Sequence, residues 1–315
     1  MDSLTAMTQV EDWREILVLA AALETGVLDR AAAGGTAEAL AADLGLDARA
    51  VRVTLVALAD RGWVHDDDGV VTLTPKARAA LGPEPEDPVL AEVRLAAREM
   101  AAYGQLDRTL RTGQPSHDVS AGDTATRRRF LEAMRAIASR RAPATVSALG
   151  PPAGSRRLLD VGGGPGTYAR AFAAAGWEVT VVDLPESLAL GGDELAGWGI
   201  ARIAADVTRG VPDGPWDAVY LGNVVHLFGP PVAADLVRAA GQVLRPAGRL
   251  AIQEVILGRS GPAALFGITM LTGTESGEAY DEATYAGWMA AAGCPLEGVV
   301  DLDQGRHHLL LGTRR

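Results

Sequence analysis

Residues 158–168 read LLDVGGGPGTY: an apolar run, a glycine-rich turn and the start of a helical pattern. Glycine allows a tight turn and lets a ligand approach the backbone, so this succession is typical of nucleotide-binding α/β folds. The segment lacks the Gly-Lys-Ser/Thr sequence of a P-loop, which excludes that class of phosphate site. From Arg156 onward, short β-rich runs alternate with helical patterns, and this alternation predicts a Rossmann-like, doubly wound α/β sheet. The predicted strands cover residues 157–161, 178–183, 201–204, 217–221, 249–256, 298–302 and 308–311.

Acidic residues stand at the ends of the first three of these strands. Asp160 lies two residues before the first glycine of the turn, where a carboxylate suits a cationic ligand such as S-adenosylmethionine. Asp183 follows Gly166 by 17 residues and fits the ribose hydroxyls of NAD and of S-adenosylmethionine equally well. Asp206 can reach an adenine amino group, although any one of these acids alone could be a helix cap. Lys76 is the only lysine, so the later Tyr-x-x-x-Lys pair of short-chain dehydrogenases is excluded. We therefore predict S-adenosylmethionine as the cofactor, with S-adenosylhomocysteine as its product.

The region before the sheet has a different pattern. Residues 1–82 read as short helices followed by a hairpin whose turn is DDDG at 66–69, which is a winged-helix pattern. Residues 1–85 hold 14 acidic and seven basic residues, and phosphates would repel such a surface. The winged helix is therefore predicted to be scaffolding, as a dimerisation or substrate-covering module. A proline-rich linker follows, so the predicted domains are 1–85, a helical connector at 86–149 and the cofactor-binding domain at 150–315.

Composition excludes several other classes of protein. The 315 residues carry a formal charge of −11, which argues against a nucleic-acid partner. The longest apolar stretch is too short to cross a membrane, and the N-terminus lacks the pattern of a signal peptide. Cys294 is the single cysteine, and the acids and histidines show no metal-ligand spacing, so no metal site is expected. These observations predict a soluble, cytoplasmic protein.

Five segments carry a resemblance to a known family. They are residues 159–166, VDLP at 182–185, LGNVVH at 221–226, LRPAGRL at 244–250 and GTE at 273–275. With these segments the chain resembles the class I methyltransferases. More narrowly, it resembles the small-molecule O-methyltransferases, which include plant caffeate-type enzymes and bacterial enzymes that tailor natural products. The resemblance covers nearly the whole chain. It implies an N-terminal winged-helix dimerisation domain, a helical connector that folds over the active site, and a homodimer.

The resemblance also implies catalytic residues. His226 matches the general base of the family, but Leu227 and Phe228 replace the Asp-Trp pair that usually follows it. Glu254 and Glu275 match the two carboxylates that flank this histidine. The match at Glu275 is weaker, because Ser-Gly follows it where Arg-Thr is usual.

The remaining site residues are expected to bind the cofactor or the acceptor. The cofactor set is Asp160, Gly162, Gly164, Gly166, Asp183, Leu184, Asp206, Val207, Gly222 and Asn223. Apolar walls for the acceptor are expected from Phe130, Met134, Met270 and Met289, for which plain core packing is an equal alternative.

The function expected from these residues is methylation of a phenolic or enolic hydroxyl on a small natural-product-type metabolite. A histidine near neutral pKa can take the hydroxyl proton, and a phenol gives up that proton more easily than an aliphatic alcohol. Two alternatives stay open. One is N- or C-methylation, or use of the cofactor without methyl transfer in decarboxylation, hydroxylation or cyclisation. The other is a DNA-binding regulator, which the acidic N-terminal region disfavours.

Overall fold

The computed structural model describes residues 13–81, 89–116, 124–152 and 156–315. The described residues form two compact units, one within residues 1–101 and the other within residues 102–315. The sequence predicts domain boundaries elsewhere, at 85/86 and 149/150, and those domain assignments stay predictions.

The first unit begins with helices and a small hairpin. The helices are Trp13–Glu24, Val27–Ala31, Ala37–Leu44 and Ala48–Asp60, followed by strands β1 (Val64–Asp67) and β2 (Val70–Leu73) and the helix Pro75–Leu81. Thr36 and Asp47 start two of the helices, because their side chains accept hydrogen bonds from the backbone N–H three residues on. Trp63 is fully buried, and its indole N–H donates to Glu15 at 3.0 Å. This order of helices and hairpin agrees with the predicted pattern, while its assignment as a winged-helix dimerisation domain stays a prediction.

In the described part of the sequence, three helices follow Pro75–Leu81 and precede the large sheet: Val89–Tyr103, Leu106–Thr112 and Thr124–Leu149. The longest of them contains Pro143, and it packs against the first helix that follows the glycine turn. It therefore belongs with the second unit.

A seven-stranded sheet forms the centre of the second unit. Its strands are β3 (Arg157–Val161), β4 (Glu178–Asp183), β5 (Ala201–Ala204), β6 (Trp216–Gly222), β7 (Leu244–Glu254), β8 (Leu296–Asp301) and β9 (His308–Thr313). Their order is β5-β4-β3-β6-β7-β9-β8, in which β9 pairs antiparallel with β7 and β8 and the other pairs are parallel. The helices around the sheet are Thr167–Ala174, Pro185–Leu190, Gly192–Gly197, Pro230–Gln242, Ala263–Gly273 and Glu282–Ala291. The predicted Rossmann-like α/β fold is confirmed.

The strand order determines where a ligand can bind. The chain moves outward from β3 to β5 and then crosses back to β6 on the other side of β3, so the order reverses between β3 and β6. In open α/β sheets the crevice at the carboxyl ends of the strands beside such a reversal is the usual binding site. The glycine turn follows β3, and the His226 loop follows β6. No helix in the described part of the chain is long and apolar enough to cross a membrane.

Candidate active site

The glycine turn packs tightly against neighbouring elements. Gly162, Gly164 and Gly166 all have positive φ angles, of 70°, 51° and 77°, which side chains other than glycine rarely adopt. A Cβ on Gly162 would lie 2.7 Å from a methyl group of Val224, in the loop that follows β6. The two loops at the strand reversal therefore touch through glycine.

Asp160 is a buried carboxylate, and one of its oxygens accepts no hydrogen bond from the described residues. Its exposed fraction is 1%, and its Oδ2 atom has no hydrogen-bond partner among the described residues. Burial, and secondarily the charge of Asp183, raises the pKa of Asp160 from 3.8 to about 8. An unpartnered buried carboxylate costs free energy that a cationic ligand would recover. The side chain therefore fits the positively charged end of S-adenosylmethionine.

Asp183 ends β4 and is half-buried beside the turn. Its Oδ2 accepts from the Gly164 N–H at 2.7 Å, and its Oδ1 accepts from the Leu184 N–H at 2.6 Å. A carboxylate at the end of this strand is the kind of acceptor to which the hydroxyls of a ribose can donate. Leu184 itself is exposed at the start of the helix Pro185–Leu190, where an adenine ring could rest on it.

Asp206 follows β5 and is exposed. Its Oδ1 accepts from the Thr208 backbone N–H at 3.0 Å and from the Thr208 hydroxyl at 2.7 Å, and these bonds lower the pKa of Asp206. The side chain therefore caps the short 3₁₀ helix Val207–Arg209, and its Oδ2 is left to accept from an adenine amino group. The capping role considered from the sequence is present and is compatible with cofactor binding.

His226 and Glu254 form a buried pair at the other side of the crevice. His226 lies in the 3₁₀ turn Val225–Leu227 after β6, and Glu254 is the last residue of β7. The imidazole Nδ1 lies 2.5 Å from Glu254 Oε2, while Glu254 Oε1 accepts from the N–H groups of Val225 (3.0 Å) and His226 (3.3 Å). One carboxylate thus fixes both the ring and the backbone of the loop. With Nδ1 as the donor, Nε2 is the nitrogen that can accept a proton.

Phe266 is a contact of this histidine that sequence reasoning missed. Its ring meets the His226 ring edge-to-face, with centroids 4.8 Å apart and an interplanar angle of 89°. The Tyr103 hydroxyl donates to the Leu265 carbonyl at 2.7 Å and so anchors the helix Ala263–Gly273 that carries Phe266. The sequence signal was weak, because an aromatic residue in an apolar helix looks like ordinary core.

Glu275, the other predicted flanking carboxylate, occupies a different environment. Its side chain is exposed, just after the helix Ala263–Gly273, and no hydrogen bond or ion pair joins it to His226 among the described residues. The structure therefore brings Glu254, and not Glu275, to the histidine.

The predicted apolar walls divide into two groups. Phe130 and Met134 are half-buried on the helix Thr124–Leu149, so their side chains are partly accessible. Met289 is completely buried in the core beside the sheet, and Met270 is 5% exposed. The core-packing alternative therefore describes Met289 better than contact with an acceptor.

A buried polar network supports β7 from behind the pair. Gln253 Oε1 accepts from the hydroxyls of Thr145 (2.6 Å) and Tyr220 (3.0 Å), and Gln253 Nε2 donates to the Tyr168 hydroxyl at 2.7 Å. Successive strand residues point to opposite faces, so Gln253 bonds on one face while Glu254 meets His226 on the other. This network fixes the strand that carries Glu254.

The arrangement combines a glycine turn beside acidic side chains with an acid-supported histidine. The described residues contain no group of three or more His, Cys, Asp or Glu side chains that could hold a metal ion.

Comparisons with known proteins show which enzymes this chain is similar to. Residues 159–252 match the family model described as a methyltransferase domain. The solved structure of the mitomycin 7-O-methyltransferase MmcR is 25% identical, covers 95% of this chain and 94% of its own, and has a TM-score of 0.80. No curated protein sequence matches the chain.

Two further solved structures are less than 25% identical, and their likeness concerns the fold. The first is the O-methyltransferase NcsB1 from neocarzinostatin biosynthesis, solved with S-adenosylmethionine and 2-hydroxy-5-methyl naphthoic acid. It is 21% identical, the match covers 97% of this chain and 98% of NcsB1, and the TM-score is 0.76. The second is the N,N-8-amino-8-demethyl-D-riboflavin dimethyltransferase RosA from Streptomyces davawensis; it is 21% identical, with both chains covered at 100% and a TM-score of 0.80.

Proposed function

We propose that this chain, which is a class I S-adenosylmethionine-dependent methyltransferase of the O-methyltransferase type, methylates an aromatic or enolic hydroxyl of a small metabolite with His226 as the general base. The observation that carries this proposal is the buried His226–Glu254 pair beside the glycine turn. An acceptor in the crevice between the two loops would lie next to both the cofactor and the base. The naphthoic acid bound by NcsB1 carries a hydroxyl on an aromatic ring, which is the class of acceptor proposed here.

The residues of the chain have distinct roles in this reaction. S-adenosylmethionine supplies an electrophilic methyl group on its sulfonium. His226 accepts the acceptor's hydroxyl proton at Nε2 as the oxygen attacks, and this proton transfer is worth typically about 10²- to 10⁴-fold in rate. Glu254 holds Nδ1–H and stabilises the imidazolium that forms. Phe266 limits rotation of the ring, so that Nε2 stays directed at the hydroxyl.

The first unit and the connector are proposed to complete the enzyme. Large apolar side chains are exposed on two N-terminal helices: Trp13, Leu17, Val53 and Val56, at 59%, 38%, 55% and 61%. Exposed apolar side chains of this kind support a protein interface, and hence a homodimer built on the winged-helix domain. Phe130 and Met134 on the connector are proposed to line the acceptor pocket.

N-methylation is the second candidate, because RosA, a neighbour of the same fold, is a dimethyltransferase of an amino group. A neutral amine is a good nucleophile without first losing a proton, so it depends less on a base than a hydroxyl does. The two candidates therefore differ in how strongly turnover depends on His226.

The cofactor assignment can be tested through Asp183. Asp183→Ala removes both the ribose acceptor and the bond that fixes Gly164, so we expect S-adenosylmethionine binding to fall at least about tenfold, by loss of hydrogen bonds to a charged group. Calorimetry with S-adenosylmethionine and S-adenosylhomocysteine measures this, and Asp213→Ala, at an exposed aspartate before β6, is the matched control. Equal affinities in the two variants would contradict the assigned ribose contact.

Acceptor screening by mass spectrometry with hydroxylated and aminated aromatic compounds then tests the reaction. Methylation of amines alone would overturn the proposal that the acceptor is a hydroxyl.

Cofactor affinity should depend on pH through Asp160. Since burial raises its pKa to about 8, the free protein holds a proton on Asp160 below that pH, whereas a bound cation favours the ionised carboxylate. Binding then releases a proton, so affinity should increase as the pH rises toward 8, by up to about tenfold per pH unit, and level off above it. Asp160→Asn should bind more weakly at pH 8 and lose this dependence. Calorimetry measures the affinity of wild type and of Asp160→Asn across this pH range. If both affinities changed with pH in the same way, Asp160 would not contact the cationic end of the cofactor.

A further inference from the structure

The loop that carries His226 departs from the family pattern, and so does the segment that follows Glu275. Leu227 and Phe228 stand where the family has Asp-Trp, and Ser276 and Gly277 stand where it has Arg-Thr. In the structure these two unusual segments lie against each other.

Three hydrogen bonds connect them. The Tyr280 hydroxyl donates to the Phe228 carbonyl at 2.5 Å, and the Glu278 N–H donates to the His226 carbonyl at 3.0 Å. In the opposite direction, the Gly229 N–H donates to the Ser276 hydroxyl at 3.1 Å. The backbone of the base-bearing loop is thus bonded at three positions to residues 276–280.

The contact is also close enough to require glycine. A Cβ on Gly277 would lie 2.4 Å from the His226 carbonyl oxygen and 3.0 Å from the Leu227 carbonyl carbon. Both of these are backbone atoms, which cannot turn away as a flexible side chain could. The larger residue that the family usually has at this position would therefore displace the loop.

We propose that residues 276–280 form a clamp that positions the general base, with Tyr280 as its anchoring residue, in place of the Asp-Trp pair that this chain lacks. The proposal rests on the proposed function, because it assigns His226 the role of base. Tyr280 acts through the loop and touches neither the cofactor nor the reacting atoms, so it is a positioning residue. The two departures from the family pattern then have one explanation. Gly277 allows the clamp to lie close to the His226 loop, and the Tyr280 hydroxyl holds the loop in place by its hydrogen bond to Phe228.

Tyr280 is well suited to this role. Its ring packs edge-to-face on Trp288 and Tyr285, with centroid distances of 4.8 and 6.0 Å, so the hydroxyl has little freedom to move. Burial raises the pKa of Tyr280 to about 12, so the hydroxyl remains protonated and can donate throughout the neutral range.

The matched control is the neighbouring tyrosine. Tyr285 is fully buried in the same aromatic group, but its hydroxyl has no hydrogen-bond partner among the described residues. Tyr280→Phe and Tyr285→Phe therefore remove the same atom from the same cluster, and only the first breaks a bond to the loop.

The test compares amide hydrogen exchange of residues 223–229 in the two variants, with S-adenosylhomocysteine bound. We expect faster exchange in Tyr280→Phe at the N–H groups of Val225 and His226, and wild-type exchange in Tyr285→Phe. With an acceptor identified, kcat should fall about tenfold in Tyr280→Phe at unchanged KM for S-adenosylmethionine, since small misplacements of a catalytic group carry such costs. Gly277→Ala should reproduce both effects by steric displacement.

Equal exchange and equal kcat in the two tyrosine variants would overturn the clamp. The exchange measurement needs no acceptor, so it tests the clamp even if hydroxyl methylation is refuted. Conversely, faster exchange in Tyr280→Phe at unchanged kcat would show that the loop is held there but that this does not position a base, which also overturns the proposal.

Discussion

His226→Asn should lower kcat for hydroxyl methylation by about 10²- to 10⁴-fold, the usual contribution of a positioned general base, while S-adenosylmethionine affinity stays unchanged. Asparagine is a suitable replacement because its amide N–H can take the place of Nδ1–H and donate to Glu254. The variant therefore keeps the buried carboxylate partnered, while it removes Nε2 together with the rest of the ring. This separates loss of the base from loss of the fold.

The measurement is turnover of the methyl donor with a phenolic acceptor, together with calorimetry of S-adenosylhomocysteine. His65→Asn is the control, since this histidine is exposed on β1 in the first unit. Turnover within about threefold of wild type would be far below the range for a general base and would refute that role. If His226→Asn methylated an amine acceptor at nearly the wild-type rate, that result would favour N-methylation.

The parts of this site that the sequence predicted are those that depend on local chain geometry. The glycine turn and the acids at the strand ends are adjacent in sequence to the strands that place them, so alternation of β-rich and helical runs was enough to find them. The start of β7 shows the limit of such patterns. The strand begins at Leu244, five residues before its predicted start, and its pairing with β6 is irregular there, where Ala247 has a φ of 62°.

The contacts that the sequence could not show join residues far apart in the chain. Gln253 is separated from Thr145 by 108 positions, and no local pattern distinguishes it from any other polar residue in a strand. Phe266 contacts His226 only because a helix from a later part of the chain folds back over the loop. The resemblance suggested two flanking carboxylates, and the structure places Glu254 at the histidine while Glu275 is exposed.

Glu254→Gln should be as damaging as loss of the histidine. The carboxylate accepts three hydrogen bonds, from the imidazole Nδ1–H and from the N–H groups of Val225 and His226, and it is completely buried. Glutamine has one acceptor oxygen and one NH₂ group. Either one of these donors loses its acceptor, or the imidazole takes the tautomer with its proton on Nε2, which cannot act as the base. The imidazolium would also lose its stabilising charge. Neutralising the acid behind a catalytic histidine can cost up to about 10⁴-fold in kcat, and we expect a loss of at least about 10²-fold here.

The comparison variant is Glu275→Gln, which makes the same chemical change at the exposed carboxylate that the structure leaves away from His226. Parallel kinetics, S-adenosylhomocysteine calorimetry and thermal unfolding separate loss of catalysis from loss of folding, since an unpaired buried donor costs about 1–3 kcal/mol. If Glu275→Gln lost turnover and Glu254→Gln kept it, the base would be supported by the other carboxylate. The predicted order, a large loss at Glu254 and near wild-type turnover at Glu275, follows because one acid is bonded to both the ring and the backbone of the loop.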